Sequence, residues 1–269
     1  MKTRTPVAPK LWQTRRGLDP RVEAYTVGGD PVLDERLLPY EVYGSIAHAA
    51  GLTRIAVLTP GEFRAVRDAL RELLRRKGFS IRQDQEDIHT AVEQYLTERL
   101  GPVGAKVHTG RSRNDQVQTD LRLFIKDRLL DVHGLACAAA GAWARFGRRH
   151  GKVIVPGYTH LQRAMPSTVG HWAASHAEAL IENCRTLRAA YAEADASPLG
   201  SAAGYGVPLP LDRGFTAALM GFSRVQRNTL RVQTSRPRVE AVAVSALTFL
   251  ARDLGVLAQD IVLYATAEF

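Results

Sequence analysis

The chain has 269 residues, 45% of them hydrophobic, and a mean hydropathy of −0.15, values typical of a soluble globular protein. Lys and Arg total 36 against 27 Asp and Glu, a formal net charge of +9, but the charges are dispersed and no basic patch is interleaved with aromatic residues. The sequence therefore predicts no nucleic-acid binding, and because it has no run of about 18 apolar residues, it predicts no membrane span.

Residues 1–30 predict irregular structure that closes with a Gly-Gly-Asp-Pro turn. The first twelve residues mix basic residues and proline without an apolar core, so they lack the pattern of a signal peptide, and the predicted compartment is the cytoplasm. Three helices follow, over about 32–50, 60–78 and 86–100. Thr59 and Glu62 give the second of these helices a capping box at its start.

Three longer helices are predicted beyond residue 108, over 114–150, over 166–196 and from Pro237 onward. We expect an all-α fold with an N-terminal helical domain over 1–108 and a long-helix bundle domain over 109–269. The last helix is still apolar where the sequence ends at Phe269, so the bundle is expected to be incomplete and to oligomerise.

Apolar residues in the first and third long helices alternate in steps of three and four, the heptad seam of helices packed side by side. The seams are Ile125, Leu129, Val132, Ala136, Ala139, Trp143 and Phe146, and then Ala243, Leu247, Leu250, Leu254, Leu257, Ile261 and Tyr264. Gly134 and Gly141 interrupt the first helix at about 1 kcal/mol each, which close approach of a neighbouring helix would explain. Cys137 and Cys184 are far apart in sequence and are interpreted as reduced core thiols.

Polar residues cluster in three loops between the predicted helices. Loop 106–116 places Arg111 and Arg113 at the N-terminus of the longest helix, where free N–H groups and the helix dipole favour a carboxylate or phosphate. An ordinary capping loop with solvated charges explains the same composition. Loop 197–206 is glycine-rich but lacks the strand and helix that flank a phosphate-binding loop.

The remaining loop, 156–166, carries His160 between Thr159 and Gln162. A histidine in this setting either exchanges protons near neutral pH or serves as a structural hydrogen-bonding group.

Taken in order, these segments closely resemble argininosuccinate lyases, and the resemblance covers about 34–269. The motifs are Gly44-Ser45, Glu86-Asp87-Ile88-His89, Thr109-Gly110-Arg111-Ser112-Arg113-Asn114-Asp115-Gln116, Pro156-Gly157-Tyr158-Thr159-His160-Leu161-Gln162-Arg163 and Ser197-Pro198-Leu199-Gly200. The third motif is specific, because fumarases and aspartases typically have Ser-Ser-Asn-Asp there and adenylosuccinate lyases have Thr-Ser-x-Asp.

The resemblance to this family of the aspartase/fumarase superfamily implies β-elimination of argininosuccinate to arginine and fumarate, without a metal or an organic cofactor. It makes His160 one of the proton-transfer residues. It implies substrate contacts by Asn114, Thr159, Arg113, Asp87, Ser112 and Gln162. It also implies a homotetramer in which each site takes loops from three subunits.

The sequence departs from the family pattern in three places. The flexible loop Gly-Ser-Ser-x-Met-Pro-x-Lys-x-Asn, which supplies the second proton-transfer group, does not occur in these 269 residues, so we expect them to give little or no turnover alone. Where many members have a Phe-Asn-Ser-Ser-like segment, Thr26 or Asp30 would have to make the substrate contact. Residues 231–236, which include Arg231 and Arg236, differ from the commonest version of the family, in which acidic residues occur. Two alternatives stay open: another fumarate-forming lyase of the superfamily, and a non-catalytic fragment or scaffold that needs a partner chain.

Overall fold

A computed structural model describes residues 19–82 and 85–267, except the side chains of Pro20, Glu23, Ala24 and Thr26. Most of these residues are helical, which confirms the predicted all-α class. The helices are α1 (Pro20–Val27), α2 (Asp30–Asp34), α3 (Leu38–Arg54), α4 (Pro60–Arg75), α5 (Ile88–Leu100), α6 (Pro102–Ala105), α7 (Arg113–Arg149), α8 (Val169–Ala194), α9 (Arg213–Leu219), α10 (Thr229–Thr234) and α11 (Arg238–Tyr264). The short strands are β1 (Ile154–Thr159), β2 (Gln162–Thr168), β3 (Ala196–Ser197) and β4 (Arg224–Val225).

The chain forms two compact units. Unit 1 takes the chain up to Leu121 together with Ser197–Gln233, and unit 2 takes Arg122–Ala196 and the chain from Thr234 onward. The boundary falls inside α7, whereas the sequence predicts a division before that helix. A continuous helix carries no turn signal at such a boundary, so sequence punctuation could not have located it.

The predicted helices are present with small changes at their ends. The capping box of α4 is formed, with the Glu62 amide donating to Thr59 Oγ1 at 3.2 Å and the Thr59 amide donating to Glu62 Oε2 at 2.7 Å. The prediction that residues 1–30 are irregular is wrong for α1, while residues 1–18 lie outside the described part of the chain.

Residues 154–168 form an antiparallel hairpin, so the predicted loop and the helix start at residue 166 are wrong. The hairpin is exposed along most of its length, so its sequence lacks the apolar alternation that reveals a half-buried strand. A register shift lies between Pro156 and Tyr158, and a Cβ on the intervening Gly157 would approach the Met165 carbonyl oxygen to 2.8 Å. Helix α8 begins only at Val169, where Thr168 Oγ1 accepts the His171 amide at 3.1 Å.

Unit 2 is held together by the bundle helices α7, α8 and α11. Its apolar core consists of Leu129, Ala136, Ala140, Leu180, Cys184, Leu187, Ala190, Ala243, Ala246 and Leu250. Two polar residues that interrupt the apolar face of α8 have partners on α11. Asn183 Nδ2 donates to Asp253 Oδ2 at 2.7 Å, and His176 Nε2 lies 3.1 Å from Asp260 Oδ2.

Part of the predicted apolar seam of α11 is uncovered within this chain. Leu250 and Leu257 are buried, but Leu247, Leu254 and Ile261 are between 38% and 46% exposed. Among the described helices, α11 alone has the length and apolar composition of a membrane span. An added Cβ at Gly134 would meet no heavy atom of the described residues within 4 Å, so close packing within that part of the chain does not explain this glycine.

Unit 1 contains a fully buried network of ionisable side chains. Glu41 Oε2 lies 2.9 Å from His89 Nδ1, and Glu41 Oε1 accepts the Ser45 hydroxyl at 2.6 Å. Asp120 is 1% exposed, and its Oδ2 lies 3.7 Å from the same histidine nitrogen. Helices α3, α5 and α7 therefore meet at buried ionisable groups, and the pKa values of these groups decide which of them carries a charge.

The two carboxyl groups of this network titrate in opposite directions. Burial raises the pKa of Asp120 well above 3.8, and the neighbouring Glu41 raises it further. The pKa of Glu41 is lowered to about 2, because His89, Arg111 and Ser45 outweigh the opposing effect of burial. Asp120 is therefore the protonated partner and Glu41 the ionised one, as expected for close carboxyl pairs.

Asp120→Asn is expected to stabilise the protein at pH 7. Because folding raises the pKa of Asp120, its contribution to stability is complete below about pH 3.8 and is lost as the pH rises. An amide keeps the shape and a hydrogen-bond donor without a proton to lose, so urea unfolding at pH 7 should show a gain of at least about 1 kcal/mol. The gain should shrink towards pH 4. Asp68→Asn, at an exposed ion pair with Arg67, should change stability little at either pH; a loss of stability in Asp120→Asn at pH 7 would contradict the assignment.

Candidate active site

The start of α7 is capped by the side chains of Ser112 and Asp115. Ser112 Oγ accepts the Asn114 amide at 3.3 Å, and Asp115 Oδ1 accepts the Ser112 amide at 2.9 Å. Asn114 Nδ2 also lies 3.4 Å from Ser112 Oγ. The capping interpretation of this loop is therefore correct for Ser112, and it fixes Asn114 in the first turn of the helix.

Asp115 also joins this loop to the glycine-rich segment 197–206. Its side chain is completely buried, and Oδ2 accepts the backbone amides of Gly200 and Ala202, each at 2.9 Å. With the Ser112 amide, one carboxylate satisfies three backbone donors. The sequence shows both motifs but gives no sign that Asp115 connects them, and Asp115 is not among the predicted site residues.

The glycine-rich segment is supported by Arg213 of α9. The Arg213 guanidinium donates to the carbonyl oxygens of Leu199 at 2.8 Å, Pro198 at 3.2 Å and Gln226 at 3.0 Å. Gly200 has φ +83°, and a Cβ there would lie 2.9 Å from Arg213 Cγ, so only glycine fits. Sequence reasoning missed Arg213, since no motif marks an arginine that binds backbone carbonyls.

Arg113 and Asp87, both predicted to lie near substrate, bind each other. Arg113 Nε lies 3.3 Å from Asp87 Oδ2, and its Nη2 donates to Glu93 Oε2 at 3.2 Å and to Thr90 Oγ1 at 3.1 Å. Asp87 Oδ1 accepts the Thr90 amide at 2.6 Å and so caps α5. These contacts tie the start of α7 to the start of α5, which fits both residues for a positioning role.

Arg111 anchors the same loop to the buried network. Its side chain is 5% exposed, with Nη1 donating to Ser45 Oγ at 2.8 Å and lying 3.7 Å from Glu41 Oε1. His48 Nε2 lies 2.9 Å from the Thr109 carbonyl oxygen. Burial and the nearby Arg111 lower the pKa of His48 to about 3, so the neutral ring donates its Nε2 proton to this carbonyl.

His160 lies at the tip of the exposed hairpin in unit 2. Thr159 pairs with Gln162, and the two residues between them form the turn. His160 has φ +53° and Leu161 has φ +61°, a conformation normally taken by asparagine or glycine in tight hairpins. Histidine and leucine both take this conformation at an energetic cost. Their side chains, and not the backbone preference of a tight turn, therefore explain why these two residues stand at the tip.

The structure thus brings Ser112, Arg113, Asn114 and Asp87 together in unit 1, and it places Thr159, His160 and Gln162 on one hairpin tip in unit 2. Of the two candidates for the N-terminal contact, Asp30 starts α2 and is exposed, whereas the Thr26 side chain lies outside the described residues.

Comparison with known proteins gives consistent matches. A family model described as Lyase matches residues 15–269. The argininosuccinate lyase of Thermotoga neapolitana is 40% identical over 265 residues, covering 97% of this chain and 67% of that protein. The argininosuccinate lyase of Stenotrophomonas maltophilia is 41% identical over 270 residues, covering 98% and 62%. The chain therefore spans about two thirds of the length of the curated relatives it matches.

The crystal structure of EDDS lyase in complex with formate is similar in fold, with a TM-score of 0.81 and 28% identity over 91% of this chain and 49% of that one. The matches at about 40% identity to argininosuccinate lyases extend over almost the whole sequence. The chain belongs to the argininosuccinate lyase family.

Proposed function

We propose that the protein cleaves argininosuccinate to arginine and fumarate by β-elimination. The observation that carries this proposal is the loop Thr109–Asp115, which is held at the N-terminus of a 37-residue helix by the buried Asp115 and Arg111. A substrate carboxylate at this position meets the positive end of the helix dipole. The relatives at about 40% identity are named argininosuccinate lyases, which supports this substrate.

In the proposed reaction, a base and an acid act on opposite sides of the carbon–nitrogen bond that breaks. His160 is one of these two proton-transfer groups. One group removes a proton from the carbon beside a carboxylate, and the other protonates the departing guanidinium nitrogen. Negative charge builds on the carboxylate side of the intermediate. Asn114 and the first turn of α7 stabilise it without reorganising, because capping and Asp115 already fix them.

The other predicted site residues have two proposed roles, substrate contact and positioning. Thr159 and Gln162 flank His160 on the hairpin and are assigned to substrate contact. Ser112 orients Asn114, and Arg113 acts through Asp87 to keep the starts of α5 and α7 in place.

A second candidate is a lyase that forms fumarate from a different N-substituted aspartate. The specific observation that favours it is the similarity to an EDDS lyase variant with bound fumarate, at a TM-score of 0.80 and 29% identity. Argininosuccinate lyase is preferred, because the sequence identity to its named members is higher over a longer share of both proteins.

We also propose that the protein works as a homotetramer in the cytoplasm. The exposed apolar seam of α11 supports association, since Leu247, Leu254 and Ile261 would be covered by helices of other subunits. Asp253 and Asp260 on α11 bond to α8 of the same chain, which supports a bundle helix rather than a membrane span.

The proposed activity is tested by fumarate release from argininosuccinate, with the protein isolated from its own cells under native conditions. Arginine and fumarate should form in equal amounts, and His160→Asn should lower kcat by roughly 100- to 10,000-fold. His171→Asn, an exposed histidine on α8, is the matched control and should leave kcat unchanged. Release of fumarate from another N-substituted aspartate but not from argininosuccinate would establish the second candidate, and no release from any of these substrates would favour a scaffold.

Asp115→Asn is expected to weaken both folding and substrate binding. The amide leaves at least one of the three backbone donors without a good acceptor, which should lower the free energy of unfolding by about 2 kcal/mol or more. KM for argininosuccinate should rise at least about tenfold, because the loop at the start of α7 loses its anchor. Asp127→Asn, an exposed aspartate further along α7, should change neither quantity. An unchanged KM in Asp115→Asn would contradict the anchoring role.

Leu254→Glu is expected to prevent subunit association. A charge in the middle of the α11 seam must be desolvated when helices pack, so sedimentation should show a smaller assembly than in the unmodified protein. Leu33→Glu, at an exposed leucine of α2 in unit 1, is the matched control and should keep the native mass. If Leu254→Glu sediments like the unmodified protein, the seam does not form the subunit contact.

A further inference from the structure

Two cysteines and a histidine converge in unit 2, and none of them is assigned to the lyase reaction. Cys137 Sγ of α7 lies 3.2 Å from Cys184 Sγ of α8. His133, one helical turn before Cys137, places both ring nitrogens 3.8 Å from the Cys137 sulfur. The prediction that both cysteines are core thiols is wrong for Cys137, which is exposed, and sequence separation hid the fact that they are neighbours.

From this cluster we infer a binding site for a thiophilic divalent cation such as Zn²⁺ or Cd²⁺, with Cys137, Cys184 and His133 as its three protein ligands. One ligand atom from each residue lies within 4.8 Å of the others. Tetrahedral zinc with Zn–S of about 2.3 Å and Zn–N of about 2.0 Å separates two sulfurs by roughly 3.8 Å, and a sulfur from a nitrogen by roughly 3.6 Å. The two sulfurs lie about 0.6 Å closer than this, and the Cys137 sulfur lies about 0.2 Å further from the His133 nitrogens, differences that side-chain rotations can remove.

The helices fix this arrangement. His133 and Cys137 are four residues apart, so their side chains lie on the same face of α7. Cys184 belongs to the apolar core together with Leu180 and Leu187, which holds its sulfur against α7. An ion bound by these residues would cross-link two helices of the bundle.

Charge and access also fit a metal. Two thiolates and a neutral imidazole balance the charge of a divalent cation, so the bound ion adds no net charge beside the apolar core. Cys137 is exposed and Cys184 is buried, which gives the ion a route from solvent and a protected inner ligand. A metal binds cysteine as the thiolate, so binding displaces the thiol protons and should weaken as the pH falls. Three protein ligands leave a fourth position for water or an added ligand.

The site is tested by titrating the reduced, purified protein with Co²⁺ and recording thiolate-to-metal charge-transfer absorption. One Co²⁺ should bind per chain, and Zn²⁺ should displace it and raise the melting temperature. Cys137→Ser and Cys184→Ser should abolish the absorption, and His133→Asn should weaken binding more than about tenfold. His171→Asn should bind as the unmodified protein does.

Since Cys184 lies in the core, circular dichroism and the metal-free melting temperature of each variant show whether it folds. A folded Cys184→Ser or Cys137→Ser variant that retains the charge-transfer band would overturn the proposal. Absence of Co²⁺ binding by the fully reduced protein would also overturn it. If, in addition, the air-exposed protein has a mass about 2 Da lower with no free thiols, the pair would be a disulfide instead.

Discussion

The buried carboxylate of Asp115 is the interaction on which the candidate site depends. It accepts hydrogen bonds from the backbone amides of Ser112, Gly200 and Ala202. One side chain therefore caps the N-terminus of α7 and fixes the glycine-rich segment beside it. A buried acceptor with three backbone donors has little freedom to move, because any displacement leaves a polar group unsatisfied. The first turn of the longest helix is therefore held in place, as the proposed binding of a substrate carboxylate requires.

The buried charged groups of unit 1 must likewise have partners. Arg111 enters the interior of unit 1 only because Glu41 is ionised there and Ser45 accepts a hydrogen bond. Glu41 in turn is kept ionised by His89, while Asp120 takes the proton that two adjacent carboxyl groups cannot both release. The loop motif and the buried network are therefore one electrostatic unit.

Sequence reasoning located the parts of this arrangement better than their connections. Periodicity and capping signals placed the start of α4 and both ends of α7 to within a residue, because local hydrogen bonds and apolar faces determine these helices. The β1–β2 hairpin was missed, since its exposed strands carry no alternating pattern. Asp115, Arg213 and the Cys137–Cys184 pair were missed for another reason: each has at least one partner between 13 and 87 residues away, a separation that no local pattern encodes.

The proposed binding of a substrate carboxylate at the start of α7 can be tested by titrating the ¹⁵N-labelled protein with fumarate. We expect saturable shifts of the backbone amides of Ser112, Arg113 and Asn114, together with loss of these shifts in Asp115→Asn. Saturable binding that leaves the 112–114 amides unmoved while shifting amides elsewhere would contradict it.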